Sequence, residues 1–387
     1  MVLSLFVYTF SAIILYLLGR NIALRETRYM ATYHKASPFW SSEMILIIIL
    51  FAFISGARYQ VGQDHLTYLT NYLDMQKQGW TTRETFESGF TFLMKFFTNL
   101  DLHFFFFFAF LGCIQIFFFY YAFKKEKYLY PYLGLIIMLT PLFLTWMNGI
   151  RQTIVCCMFV FLVQFIKERK ILQYFIGILI AATIHKSAYL LLPLYFIFWK
   201  DFYFKNKYFN ILTVVFCTIL GASPTWSHLI QNTQSLFALL GYDYYKENID
   251  TIMEDTREMS WGPVRILLYL TNLCIIWYYP KVRERFSHHK MLDLYFTLFF
   301  IGTSLYNLLV ETGIIFTRPL MYFTMFTYVM MAYTLYALST YRTKKNFIFF
   351  FCISFLYVYL MLAKLYTTNV QFSTSYYKFY FLEDSIY

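Results

Sequence analysis

The chain has 387 residues, 59% of them hydrophobic, 24% aromatic and only 14% charged, with a formal net charge of +11. Soluble globular chains run at roughly 45–50% apolar and about 25% charged, so an ordinary soluble domain is excluded. Gly and Pro, at 14 and 8, are too few for a fibrous or disordered chain, and a mean hydropathy of +0.52 over the whole length predicts a multi-pass membrane protein.

A helix crosses the hydrocarbon core with about 20 apolar residues. In chain order, apolar runs near 2–18, 39–55, 102–123, 129–147, 149–166, 171–185, 188–199, 208–222, 263–279, 291–310, 316–338 and 346–364 predict twelve transmembrane segments. The expected fold is an all-α polytopic membrane helical bundle, a single transmembrane domain over 1–387. Barrel strands would be shorter and would alternate polar with apolar residues. No basic residue precedes Arg20, so the first run lacks the positive start of a signal peptide and is expected to remain as a helix. All six Cys lie in apolar runs without metal-ligand spacing, and they read as buried packing residues.

The connecting segments differ in charge. The set 19–43, 124–128, 167–170, 200–207, 280–290 and 339–345 holds twenty of the 32 Lys and Arg. Cytoplasmic loops carry the Lys/Arg excess, so this set is expected to face inward and both termini outward. The basic balance is thereby a topology signal and not a nucleic-acid footprint. These inner loops read as plain solvated anchors. The outer side holds the loops 56–101 and 223–262, expected to be partly structured, and a Tyr-rich tail at 366–387. Residues 171–199 number only 29 between two basic loops, whereas two full crossings need about 40. That hairpin is therefore short or re-entrant, with His185 and Lys186 at its tip. Ionisable groups at membrane depth are expensive and mark functional sites.

Three polar constellations fall on the outer side. The first runs from Gly56 to Tyr68 and contains Arg58, Tyr59, Gln60 and Asp64; its bland alternative is an interfacial loop with a snorkelling Arg. A polar segment from Glu84 to Lys95, including Glu87, is expected as an amphipathic surface helix. The second constellation, Trp146 to Gln152, places Arg151 in the first turn of a span beside Gln152. The third is Glu311-Thr312-Gly313 with Arg318, for which a plain Glu311–Arg318 ion pair is the competing reading. Arg and Lys gathered with few carboxylates suit a phosphate or pyrophosphate. The chain contains no Asp-x-Asp, no Gly-x-x-x-x-Gly-Lys, no His-Glu-x-x-His and no Gly-x-Ser-x-Gly, which disfavours the metal-bridged nucleotide-sugar, ATPase, zinc-protease and serine-hydrolase classes. Transfer chemistry on a lipid-linked phosphate, or transport of an anion, remains.

Gly56 to Tyr68 has the form G-x-R-Y-x-V-G-x-D-x-x-x-Y and resembles the signature of the EpsG family of Wzy-type polysaccharide polymerases. Glu87-Ser88-Gly89-Phe90 sits where that family has an acidic-Gly-aromatic segment. Asn148 to Gln152 resembles its N-x-x-R-Q motif, and Ala182 to Ala188 its A-x-x-x-H-x-S-A motif. Position 63 is Gln where Thr is expected most often. The matches span roughly residues 50–195, so Glu311 and Arg318 rest on the residues alone.

The resemblance implies a GT-C-like enzyme of the bacterial cytoplasmic membrane that needs no cofactor or metal. It would transfer a growing glycan from undecaprenyl pyrophosphate to an incoming lipid-linked repeat unit at the outer face. Its partners would be both lipid-linked glycans, the bilayer, and chain-length regulator and flippase proteins. On this reading Arg58, Arg151, Lys186 and Arg318 bind pyrophosphate. Tyr59, Gln60, Tyr68, Glu87, Gln152 and Glu311 bind substrate. Asp64 and His185 are the candidates for proton transfer, and Asp64 is favoured because a neighbouring Arg keeps a carboxylate ionised. A lipid-linked oligosaccharide flippase, a glycan ligase and a membrane O-acetyltransferase are the alternatives.

Overall fold

The computed structural model describes residues 2–62, 64–80, 86–199, 204, 206–231, 261–286, 289, 291–340, 355, 357 and 376–382. Among them there are helices and no strand, apart from one isolated antiparallel bridge between Arg58 and Phe379. Gln63, most of the outer loop 223–262 and nearly all of the run 346–364 lie outside the described residues. The chain divides into two compact units, residues 1–199 with 338–387, and residues 200–337.

The first unit opens with α1 (Val2–Tyr33), a single helix of 32 residues. The segment 19–33, expected as part of an inner loop, continues this helix. Its Arg, Ala, Leu, Glu and Met are strong helix formers with no Pro among them. There follow α2 (Ser42–Gly56), α3 (His65–Gln78), α4 (Ser88–Asn99) and α5 (Phe104–Ala122). Ser41 caps α2 by accepting from Met44 N at 3.2 Å, and Gly79, with φ of 79°, ends α3 in the left-handed region.

The run expected at 129–147 is broken into α6 (Tyr130–Leu139) and α7 (Leu142–Asn148), and the chain bends there by 65°. Pro141 stands at the break and brings no amide N–H, while Thr140 Oγ1 accepts from Leu142 N at 3.2 Å and starts the new helix. Then come α8 (Ile150–Leu162), α9 (Gln164–Lys167), α10 (Ile171–Ile184), a 3-10 turn at Lys186–Leu191 and α11 (Leu194–Ile197). Helix α1 lies along α6, α2 along α5, and α8 against both α5 and α10. Phe51, Phe119, Phe143 and Trp146 form edge-to-face ring contacts at the centre.

In the inner loop at 124–127 Lys125 is exposed, but Lys127 is not the solvated anchor expected. Lys127 is 1% exposed, and its Nζ donates to Glu26 Oε2 at 3.0 Å, Ser37 Oγ at 2.7 Å and Ser37 O at 2.5 Å. The extension of α1 to Tyr33 brings Glu26 to this point, so the ammonium is buried with its donors used.

The second unit holds α12 (Lys207–Gly221), α13 (Pro224–Gln231), α14 (Pro263–Arg285), α15 (Leu292–Leu309), α16 (Ile314–Thr317) and α17 (Met321–Thr340). Arg283 grips Asp293 through Nε at 2.8 Å and Nη2 at 3.2 Å. Tyr279, stacked on Phe296 at 3.5 Å, donates to the same carboxylate.

Four helical stretches among the described residues are long and apolar enough to cross a membrane: 2–33, 104–122, 150–167 and 292–312. The bent 127–148 pair makes a fifth if counted as one span, and α2, α10 and α12 are shorter apolar helices. Several expose their apolar side chains. On α12, Leu212 and Ile219 are 65% and 68% exposed, a pattern that water would penalise and hydrocarbon would not. The protein is a helical membrane protein.

Candidate active site

The loop after α2 is laid directly on the α7–α8 junction. Gly62 has φ of +90°, and a Cβ there would come within 2.6 Å of Met147 O, so only glycine permits both the turn and the approach. Asn148 Oδ1 accepts from Asp64 N at 3.1 Å. The first constellation is therefore tied to the second through an Asn whose partner the spacing did not disclose. Asp64 immediately precedes α3 without a side-chain cap bond to it, is half-buried, and stands one turn before Tyr68, whose N–H donates to Asp64 O at 3.1 Å.

Arg58 is fully buried. Its Nη1 donates to Ser55 O at 3.0 Å and contacts Met147 Sδ at 2.8 Å, and the guanidinium lies 5.0 Å from the Phe108 ring centroid. Nε and Nη2 have no hydrogen-bond partner among the described residues. Tyr8, Tyr68 and Tyr377 surround it within electrostatic reach. The C-terminal segment covers this loop: Tyr59 N donates to Lys378 O at 2.9 Å, Tyr380 N to Ala57 O at 3.0 Å, and Tyr377 OH to Ile54 O at 2.5 Å. Expected from the sequence as an anion ligand, Arg58 is instead an interior cation over the Phe108 ring. His65, stacked on Phe108 at 5.0 Å, has its pKa pushed well below the ordinary value by burial and then by the Arg58 charge.

Glu87 is the meeting point of the other motifs. It precedes α4 in extended conformation, with φ of −64° and ψ of 150°, and its side chain does not cap the helix. The carboxylate turns instead to two distant elements. Oε2 accepts from Arg151 Nη1 on the first turn of α8. Oε1 lies 2.9 Å from His185 Nδ1 and accepts from Lys186 N at 3.0 Å. Gly89 permits this approach, because a Cβ there would sit 2.3 Å from Thr183 Oγ1 on the last turn of α10. The helix α4 is amphipathic as expected, but it starts at Ser88 and buries Phe90, Met94 and Phe97. Arg151 is further held by Tyr68, whose hydroxyl accepts from Nε at 3.4 Å, and by the rings of Phe86 and Phe90 at 4.9 and 5.7 Å.

Exposure rises across the cluster, from 6% for the Glu87 side chain through 13% for Arg151 to 25% for His185. Burial alone would raise the Glu87 pKa. The His185 hydrogen bond, the Arg151 charge and the Lys186 N–H outweigh it and bring the carboxyl down to about 2. The Lys186 side chain is exposed, while Gln152 is buried in α8. Tyr59 packs edge-on to His65 at 6.2 Å, and Gln60, at φ of 55°, donates its N–H to His65 Nδ1 at 3.3 Å.

The structure thus brings Tyr68, Glu87, Arg151, His185 and Lys186 together, all in the first unit. Glu311 and Arg318 belong to the second. The competing reading of Glu311, a plain pair with Arg318, is not the one realised: Arg265 Nη1 donates to it at 2.5 Å while stacking 4.2 Å from the Trp261 ring centroid. Arg318 is exposed in the turn before α17. Arg265 opens α14 well before the third motif in sequence, and no spacing rule links the two.

The EpsG family model matches residues 44–380, which contain every one of these groups. The chain belongs to the EpsG family. The match extends the resemblance, carried by residues 50–195, through the second unit. EpsG membership suggests a polysaccharide polymerase-like, glycosyltransferase role. No curated protein and no solved structure matches the chain.

Proposed function

We propose that this EpsG-family protein polymerises lipid-linked polysaccharide repeat units in the bacterial cytoplasmic membrane. The growing glycan would pass from undecaprenyl pyrophosphate to the non-reducing sugar of an incoming lipid-linked repeat unit at the outer face. The proposed topology has about twelve spans in one GT-C-like transmembrane domain, with both termini outside. Flippase and chain-length regulator proteins are the partners of such a system. The observation that carries the reading is the convergence on Glu87, itself in one motif, of Arg151, His185 and Lys186, side chains and backbone from two others far apart in sequence.

The chemistry is a displacement at the anomeric carbon. The acceptor hydroxyl loses its proton to a base, Asp64 or His185, as the new C–O bond forms. The bond to the pyrophosphate oxygen breaks, and the departing group takes the electron pair. Arg151 and Lys186 would stabilise that charge, Arg151 as a fork and Lys186 as a point charge. Arg58 supports the reaction from inside, holding the loop that carries Asp64 and Tyr68. The proposed scheme needs no metal.

Two measurements test this. Purified protein in nanodiscs, given undecaprenyl-pyrophosphate-linked repeat units, is expected to yield a ladder of longer chains. A deletion strain is expected to lose long surface glycan yet keep single repeats; loss of every repeat would instead indicate a flippase or ligase. Single-cysteine labelling then checks the topology: positions in 223–262 should react from outside, and positions in 280–290 only after permeabilisation.

A further inference from the structure

We infer that Glu87 is a positioning residue that orients His185 as the general base, with Nε2 presented to the acceptor hydroxyl. The inference rests on the polymerase reading and adds to it a role for a carboxylate otherwise assigned to substrate.

An ionised carboxylate only accepts hydrogen bonds, and Glu87 is held ionised by Arg151 and by the N–H of Lys186. At the 2.9 Å contact with Oε1, His185 Nδ1 must therefore carry the proton. A neutral imidazole protonated at Nδ1 has its lone pair on Nε2. That nitrogen has no partner among the described residues, and the His185 side chain, at 25%, is more exposed than Glu87 and Arg151 behind it. The base is thus aimed outward by a buried group behind it, the arrangement in which a carboxylate fixes the tautomer of a catalytic imidazole.

The backbone enforces the same orientation. His185 ends α10 in extended conformation, with φ of −152° and ψ of 118°. The next residue donates its N–H to the very oxygen that His185 binds, so ring and chain are pinned to one atom. Gly89 allows α4 to approach closely enough for that oxygen to reach both. Arg151, at the second carboxylate oxygen, keeps Glu87 from taking the proton itself. In the proposed step the acceptor O–H proton moves to Nε2, the sugar oxygen attacks the anomeric carbon, and pyrophosphate leaves with its electron pair. The imidazolium so formed lies against an anion, and its Nε2 proton later passes to the pyrophosphate or to water.

The test uses the full chain in nanodiscs with lipid-linked repeat units. His185→Ala is expected to lower kcat by ~10²–10⁴-fold. Glu87→Gln should lower kcat by at least about tenfold with KM for the acceptor little changed, and the double variant should be no slower than His185→Ala, as for residues acting as one unit. Chemical rescue supplies a readout that does not depend on the Glu87 variant folding. In His185→Gly, imidazole should restore chain extension, since it can donate one N–H to Glu87 and accept through the other nitrogen. The basic 1-methylimidazole lacks that N–H and should restore at least about tenfold less. Equal rescue by both, multiplicative losses in the double variant, or an effect of Glu87→Gln on KM alone would overturn the inference. So would an inactive Asp64→Asn beside an active His185→Ala, which would name Asp64 as the base. A wild-type protein that extends no chains overturns the polymerase reading itself, and with it this role for Glu87; every other adverse outcome leaves that reading standing.

Discussion

Replacing Glu87 with Gln isolates what its charge contributes to the fold. The carboxyl lies at about 2 in the folded chain against an ordinary value of 4.5. Because the folded value is depressed, the contribution is complete above about pH 4.5 and is lost as pH falls through about 2. A carboxyl whose proton affinity falls by roughly 2.5 powers of ten on folding adds about 3 kcal/mol at neutral pH, at about 1.36 kcal/mol for each. At pH 3 somewhat under half of it remains by the same relation. The side chain is only 6% exposed, so solvent screening removes little of this. Unfolding of wild-type and Glu87→Gln protein in mixed micelles, titrated with denaturant at pH 7, 4 and 3, measures the gap. It should be largest at pH 7 and shrink to about half at pH 3. A gap under about 1 kcal/mol at pH 7, or one that does not change with pH, would refute the assignment of Glu87 as the buried anion of the cluster.

Other substitutions test the rest of the architecture. Gly89→Ala places a Cβ against Thr183 and should part Glu87 from His185, abolishing chain extension in the nanodisc assay; adding Thr183→Gly should recover part of the rate. Lys127→Met strands Glu26 and the Ser37 polar groups in a buried site, at an expected cost of ~3 kcal/mol in micellar unfolding; a loss under about 1 kcal/mol would return Lys127 to the class of solvated anchors. Tyr377→Ala removes a side chain that is 2% exposed and bonded to Ile54 O. It should cost ~3–5 kcal/mol and make the C-terminal segment cleavable by protease in folded protein, an outcome absent if that segment is not docked.

The composition alone settles that this is a helical membrane protein, because apolar helices need hydrocarbon around them and the hydropathy runs the length of the chain. Pro141 marks the break between α6 and α7 in the sequence, since a missing N–H acts locally. The motif residues were likewise legible one by one as polar groups that an apolar chain would not retain without use. Their partners were not. Glu87 reaches Arg151 and His185 across 64 and 98 residues, and no helical or strand periodicity connects such distances. Which cation a carboxylate meets depends on how closely two helices approach, and that is decided by packing at positions such as Gly89 and Gly62. The same holds for Arg58, a pyrophosphate ligand on the sequence alone, around which Tyr8, Phe108 and Tyr377 close. It holds for Lys127, which became interior only because α1 runs on to Tyr33, and for Glu311, which found Arg265 in place of Arg318. Burial and pairing are properties of surfaces brought together, and the tertiary structure alone brings them together.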